Sequence, residues 1–320
     1  MKFTRSIFSP EHEQFRDSFK RFLQKEVVPH QHKWDEAGIV PKEIWLKCGE
    51  NGFLVPAADE QFGGLGLKDY RYEAIMTEEL AYINESGLVL ALHNSMVAPY
   101  ILKYGNDEQK ARFIPRIVSG DNGILAIAMT EPGAGSDLAG MKTHAKNMGD
   151  YWVLNGSKIF ITNGNNADII IVAAKTNPEN PHSMGLFIVE SGMEGFSRGK
   201  PLKKMGMKAQ DTSELFFENV KVPKENLLGD ASKGFIKDGN KNKLREQDAN
   251  LGQALEIDIE KDTKRVSIYY QTSPGAKALQ WLNPKQGTDA ALAMAFGHVI
   301  LREFHLTNPS EYFTDYARKY

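Results

Sequence analysis

Near Ile124 the apolar residues of this chain change their period, and that change limits the folds open to it. Upstream, Ser9-Pro10-Glu11 is a helix start with Ser9 as N-cap, and Phe15, Phe19, Phe22, Leu23 and Val27 then recur at helical spacing. Pro29 and Gly38 are expected to end that run, and Pro41 opens a short helix through Ile44, Trp45 and Leu46 that closes at Asn51-Gly52. Beyond Gly63-Gly64-Leu65-Gly66, the stretch from Tyr72 to Ile83 reads as another helix, with Glu78 and Glu79 expected on its solvent face. Leu88 to Tyr104 continues helical, and Asp107-Glu108-Gln109 starts a helix that runs into Ile114-Pro115.

Downstream the apolar runs are short and separated by turns: Tyr151-Trp-Val-Leu154, Ile169 to Ala174, Gly185 to Val189 and Glu214 to Phe217, ending at Val222-Pro223. That pattern belongs to strands and hairpins. The expected class is α+β: an all-helical domain over residues 1–122, a β-barrel-like domain over 123–228, and an atypical strand and helix tail. Within the tail, 229–250 is rich in Lys, Asp, Asn and Gly and reads as a linker.

Composition excludes more than it assigns. Hydrophobic residues at 41%, charged residues at 25% and a net charge of −2 are those of a globular protein with no electrostatic reason to bind nucleic acid. The start turns polar at once and no run is long enough to span a bilayer, so no membrane partner and a cytoplasmic location are expected. The single cysteine, Cys48, has no Cys or His nearby and reads as a packed thiol.

Two segments carry chemistry. The first is Ile127, Ala128, Met129, Thr130, Glu131, Pro132, Gly133, Ala134, Gly135, Ser136 and Asp137. Its proline and glycines force an irregular turn whose backbone can approach a ligand closely. The second is Asn155-Gly-Ser-Lys-Ile-Phe-Ile-Thr-Asn-Gly164, which contains Phe160, Ile161 and Thr162. Taken singly, the first could be a strand-ending turn and Phe160 a core residue. Their occurrence together, in this order, is more specific than either alone.

The pair resembles the flavin-binding middle domain of the acyl-CoA dehydrogenases, and Met205 to Pro223 is similar to a later segment of the same domain. The resemblance runs from Met1 to about Phe235 and is nearest to members that handle straight-chain or longer acyl-CoA. It implies FAD as cofactor, with Ile127 to Ser136 lining the flavin, Ser136 also touching acyl-CoA, Phe160 packing on the ring and Thr162 reaching its N5 edge. The implied reaction is α,β-dehydrogenation of an acyl-CoA thioester, in which a carboxylate takes the α-proton while the β-hydride passes to the flavin. An acceptor of the electron-transfer-flavoprotein type and a homo-oligomeric state are implied too.

The family draws its glutamate base and part of its FAD site from a second helical bundle, whose motifs are not found beyond Phe235. Impaired turnover is therefore expected, with a non-catalytic flavin or acyl-CoA binder, or a non-functional chimeric fusion, as the alternatives. Glu246 is the candidate base, although Asn240, Asn242, Asp248 and Asn250 around it are poor helix formers. Residues about 241–286 resemble a fragment of the leukotriene-hydrolase-type aminopeptidases, here without the His-Glu-x-x-His zinc motif, and 287–320 resemble a piece of a respiratory nitrate reductase catalytic subunit. His298 and His305 share a helical face there, read as packing or solvation. No metal site is expected.

Overall fold

Local signals start and stop most of the helices. In the computed structural model, which describes residues 7–135, 138–177, 179–180 and 183–231, helix α1 (Pro10–Phe22) begins behind Ser9, whose amide donates to His12 Nδ1 at 3.2 Å. The later segments and Ser136, Glu246, His298 and His305 lie outside the described residues. Pro29 does not end the first helical run: a π turn (Leu23–Val27) and a 3₁₀ turn (Val28–His30) carry it into α2 (Gln31–Ala37), which stops at left-handed Gly38. A proline early in a new helical turn forfeits no hydrogen bond that the turn would otherwise make, which is why the chain continues. Next come α3 (Lys42–Glu50), α4 (Arg71–Tyr82), a π turn (Leu92–Val97), α5 (Ala98–Tyr104) and α6 (Asp107–Ser119). Helix α6 starts at an Asn106/Gln109 capping box and passes through Pro115 to left-handed Gly120, five residues beyond the expected stop.

One expectation in α4 is corrected. Glu79 is 3% exposed, because it shares the α4 stripe with Ile75, Met76 and Leu80 and meets Arg16 of α1 across the helix pair. Phe19 and Phe22 pack edge-on against Phe53 at 4.8 and 5.2 Å, and Cys48 is fully buried beside them.

The second half is a mixed sheet of eight strands: β1 (Leu125–Ala128), β2 (His144–Asn147), β3 (Tyr151–Thr162), β4 (Ile169–Lys175), β5 (Met184–Glu190), β6 (Phe196–Arg198), β7 (Thr212–Pro223) and β8 (Leu227–Leu228). The order is β6-β7-β3-β2-β4-β5-β8, with β1 parallel to β4. In place of a closed barrel, no ladder among the described residues joins β6 to β8.

Strand β4 seats the helical part on the sheet. Its residues Ile169 to Ala174 are all buried; Ile169, Ile171 and Ala173 face Ile101, Phe113 and Ile117 of α5 and α6, while Ile170, Val172 and Ala174 face Trp152 and Phe187. Period two along a strand makes that division. Each large apolar side chain buried this way contributes roughly 1.5–3 kcal/mol, which also anchors β1, paired to β4 from Leu125↔Ile169 to Ala128↔Val172. No helix among the described residues is long and apolar enough to cross a membrane.

Candidate functional site

The free edge of β1 runs beside the end of β3. Ile159 donates its amide to Thr130 O (2.9 Å), and Asn163 Nδ2 donates to Leu125 O (3.1 Å). Immediately after β1, Glu131 and Ala134 exchange N–H···O bonds of 2.9 and 3.1 Å, closing a tight turn with Pro132 and Gly133 at its tip. A Cβ on Gly133 or Gly135 would meet nothing within 4 Å, and neither has a left-handed φ. Backbone conformation does not demand glycine here; the missing side chains leave open space over the turn.

Phe160 stands at the neighbouring bend of β3. Lys158 opposes Leu215 and Ile161 opposes Ser213, so β3 advances three residues where β7 advances two, a β-bulge. Within it Phe160 has φ 60°, a region that costs an aromatic residue energy, and its side chain is 63% exposed. An aromatic ring held outward at such a bend is neither core nor ordinary strand. The bulge also reverses the facing of the two strand residues after it, so Ile161 is buried and Thr162 is half-buried opposite Thr212.

The two segments predicted from sequence are therefore neighbours, but their side chains divide. Ile127, Met129 and Thr130 are half-exposed and Pro132, Gly133 and Gly135 exposed, whereas Ala128, Glu131, Ala134 and Ile161 point inward and can serve a ligand only through their backbone. Beyond Thr162, Asp211 accepts from the amides of Asn165 (2.8 Å) and Asn166 (2.7 Å), and Asn166 Nδ2 donates to Val40 O of the helical part at 2.7 Å. That hub pins the far end of the β3 segment.

Sequence reasoning named Glu131 but missed Lys158, its partner beneath the turn. Lys158 has a fully buried side chain whose Nζ donates to Met129 O (2.9 Å) and Glu131 Oε1 (2.9 Å) and contacts Met141 Sδ (3.4 Å). Glu131 also accepts from the amides of Lys142 (2.6 Å) and Thr143 (3.0 Å). Burial pulls the Lys158 ammonium down to about 8, against the opposing pull of Glu131. Burial pushes Glu131 up, but the bonds from Thr143, Lys142 and Lys158 outweigh it and hold the carboxyl below its usual range. Alternation carried a signal for Lys158: it falls on the same face of β3 as Trp152 and Leu154, both buried.

An open space lined by glycine backbone beside an outward aromatic ring fits a large flat ring system. Among the described residues, no group of three or more His, Cys, Asp or Glu is placed to hold a metal ion.

A helical domain leading into a mixed sheet, with an outward aromatic ring beside a glycine turn at the sheet's edge, defines a class that comparison with known proteins narrows. Residues 9–121 match the N-terminal domain of the acyl-CoA dehydrogenases and residues 126–220 their middle domain. The mitochondrial long-chain specific acyl-CoA dehydrogenase of Mus musculus is 52% identical over 234 residues, 72% of this chain and 54% of that protein. The crystal structure of an acyl-CoA dehydrogenase from Geobacillus kaustophilus superposes with a TM-score of 0.70 at 50% identity, over 72% of this chain and 61% of that one. An acyl-CoA dehydrogenase from Bacillus anthracis complexed with FAD gives 0.66 at 36% identity, over 72% and 40%. Over residues 9–220 this chain belongs to the acyl-CoA dehydrogenase family, and it spans about half the length of the curated relatives it matches.

Proposed function

We propose that this chain acts on acyl-CoA thioesters as a flavin-dependent dehydrogenase, with FAD as cofactor. The observation that carries the reading is Phe160: an exposed aromatic ring in a left-handed bulge, beside a turn whose glycines leave room for a ligand. FAD, when bound, supplies the hydride acceptor. The backbone of residues 127–135, Phe160 and Thr162 would hold its ring, Phe160 by stacking and Thr162 at the edge that receives hydride. Ser136, outside the described residues, is assigned to acyl-CoA by resemblance.

The reaction also needs a carboxylate to remove the α-proton. Glu246 is this chain's candidate and lies outside the described residues. The higher identity to long-chain specific relatives, 52% against 39% for the isovaleryl-CoA dehydrogenase of Pongo abelii, favours long, unbranched acyl chains. Electrons would leave to an acceptor of the electron-transfer-flavoprotein type. In this reading residues 1–122 form the helical domain and 123–228 the domain that binds flavin and acyl-CoA.

The test is titration of the purified chain with FAD, followed by visible absorption, and then anaerobic addition of a long-chain acyl-CoA. Bound flavin that bleaches on acyl-CoA supports dehydrogenation, and several-fold weaker flavin binding in Phe160→Ala assigns the ring contact. Bound flavin that no acyl-CoA bleaches would reduce the protein to a binder. Absence of bound flavin would sink the reading.

A further inference from the structure

Three parts of the candidate site converge on one buried pair. Glu131 is the first residue of the Pro132–Gly133 turn, Lys142 and Thr143 lead into β2, and Lys158 lies two residues before Phe160. Met129 O, one residue past the end of β1, receives a bond from the same ammonium. These segments are far apart in sequence, and the bonds that Lys158 and Glu131 make reach all of them. Resting on the flavin reading above, we propose that Lys158 and Glu131 are positioning residues: their ion pair holds the turn over residues 131–134 and the Phe160 bulge at the mutual distance a flat ring requires.

Neither side chain reaches the open space, so neither is a ligand contact: Lys158 is fully buried and Glu131 is 7% exposed. A buried ion pair is a poor source of net stability, since desolvation of two charges offsets most of their attraction. Its bonds do impose geometry. All three ammonium protons find partners at Met129, Glu131 and Met141, and the carboxylate accepts from two backbone amides besides, a satisfied network that fixes backbone at both ends. The bulge needs such support, because Phe160 has φ 60° and its ring is mostly exposed, so it gains little packing to hold itself there. Among the described residues, Glu131 is the one charged group bonded to Lys158.

The test is amide hydrogen exchange on the full chain and on Lys158→Met/Glu131→Leu, which removes both charges so that neither is stranded. Amides of residues 127–135 and 158–162 are expected to exchange at least tenfold faster, and together, while those of β4 and β5 stay within twofold; the FAD dissociation constant rises tenfold or more. Unchanged exchange in both segments overturns the proposal. Should the double variant not fold, the unaltered chain decides. Raising the pH through about 8 discharges Lys158, and exchange in the two segments should then rise relative to β4, whereas a constant ratio overturns the pair's role. An unaltered chain that binds no FAD would refute the function proposed above, and the exchange result would still decide the clamp.

Discussion

Two buried ion pairs, one in each half of the molecule, use similar side chains to different ends. In the helical half, Arg16 of α1 bonds Glu79 at 2.6 Å and Glu78 at 3.0 Å across to α4. In the sheet, Lys158 bonds Glu131 at 2.9 Å. Burial opposes the charge on Arg16, but Glu79 and Glu78 outweigh it and raise its affinity for the proton, so the guanidinium keeps its charge. With one carboxylate and a fully buried amine, Lys158 instead falls to about 8. The first pair staples two helices. The second sits under a candidate ligand cradle and can lose its charge in mildly alkaline solution.

The sharpest way to break the contrast is to remove the arginine. Arg16→Met strands Glu79 in a buried site with only Lys20, 3.7 Å away, as a partner. Urea melts should show a loss of roughly 3–5 kcal/mol, the usual consequence of breaking a buried pair by removing one member. FAD affinity of the molecules that remain folded should stay within twofold. A large loss of FAD affinity would mean that the two halves are not separable in this way.

Glu73 of α4 supplies the case of a buried carboxylate with no cation bonded to it among the described residues. Burial raises it to about 7, with bonds from Asn94 and Ser95 opposing. The folded form therefore keeps a proton that the unfolded chain releases above about 4.5, and stability falls as pH rises through that window. Glu73→Gln should accordingly stabilise the protein by about 3.5 kcal/mol above pH 7, taking about 1.4 kcal/mol per pKa unit, and by almost nothing near pH 4. Thermal melts at the two pH values check it. For Lys158 the sign is reversed. Between about 8 and the ordinary value of 10.5 the unfolded chain holds a proton that the folded one has lost, so this group's contribution to stability rises with pH while the clamp opens.

The smallest effect is expected at Phe160. Glycine relieves the left-handed backbone at a cost in chain entropy, so Phe160→Gly should raise stability by about 0.5–1 kcal/mol while FAD binding weakens several-fold. Loss of stability instead would mean that the exposed ring is packed after all.

Much of this was legible in the chain. The change of period at Ile124 separates helices that end at Ser119 from strands that begin at Leu125, because burial of one face imposes a period of 3.6 or 2 on any local segment. The order of the two motif segments pointed to the candidate site. Capping at Ser9 and Asn106 was local chemistry, readable in residues at most three positions away. Where reading failed, the missing information was distant. Glu79 shares a helical stripe with Ile75 and Met76, yet a glutamate there reads as solvated until Arg16, 63 residues earlier, is known to face it. Lys158 lies on the inward face of β3, and Glu131 and Met129 O, from a segment outside β3, make that tolerable.

Residue pattern alone was enough for the kinds of element, for most of their limits and for proposing two segments as the candidate site. Three-dimensional packing settled which charges are buried, because an isolated charge cannot leave water and its partner is not a sequence neighbour. It also decided that Phe160 points outward. A strand's alternation is a local rule, but the extra residue that breaks it in β3 is defined only against the two residues that β7 places opposite.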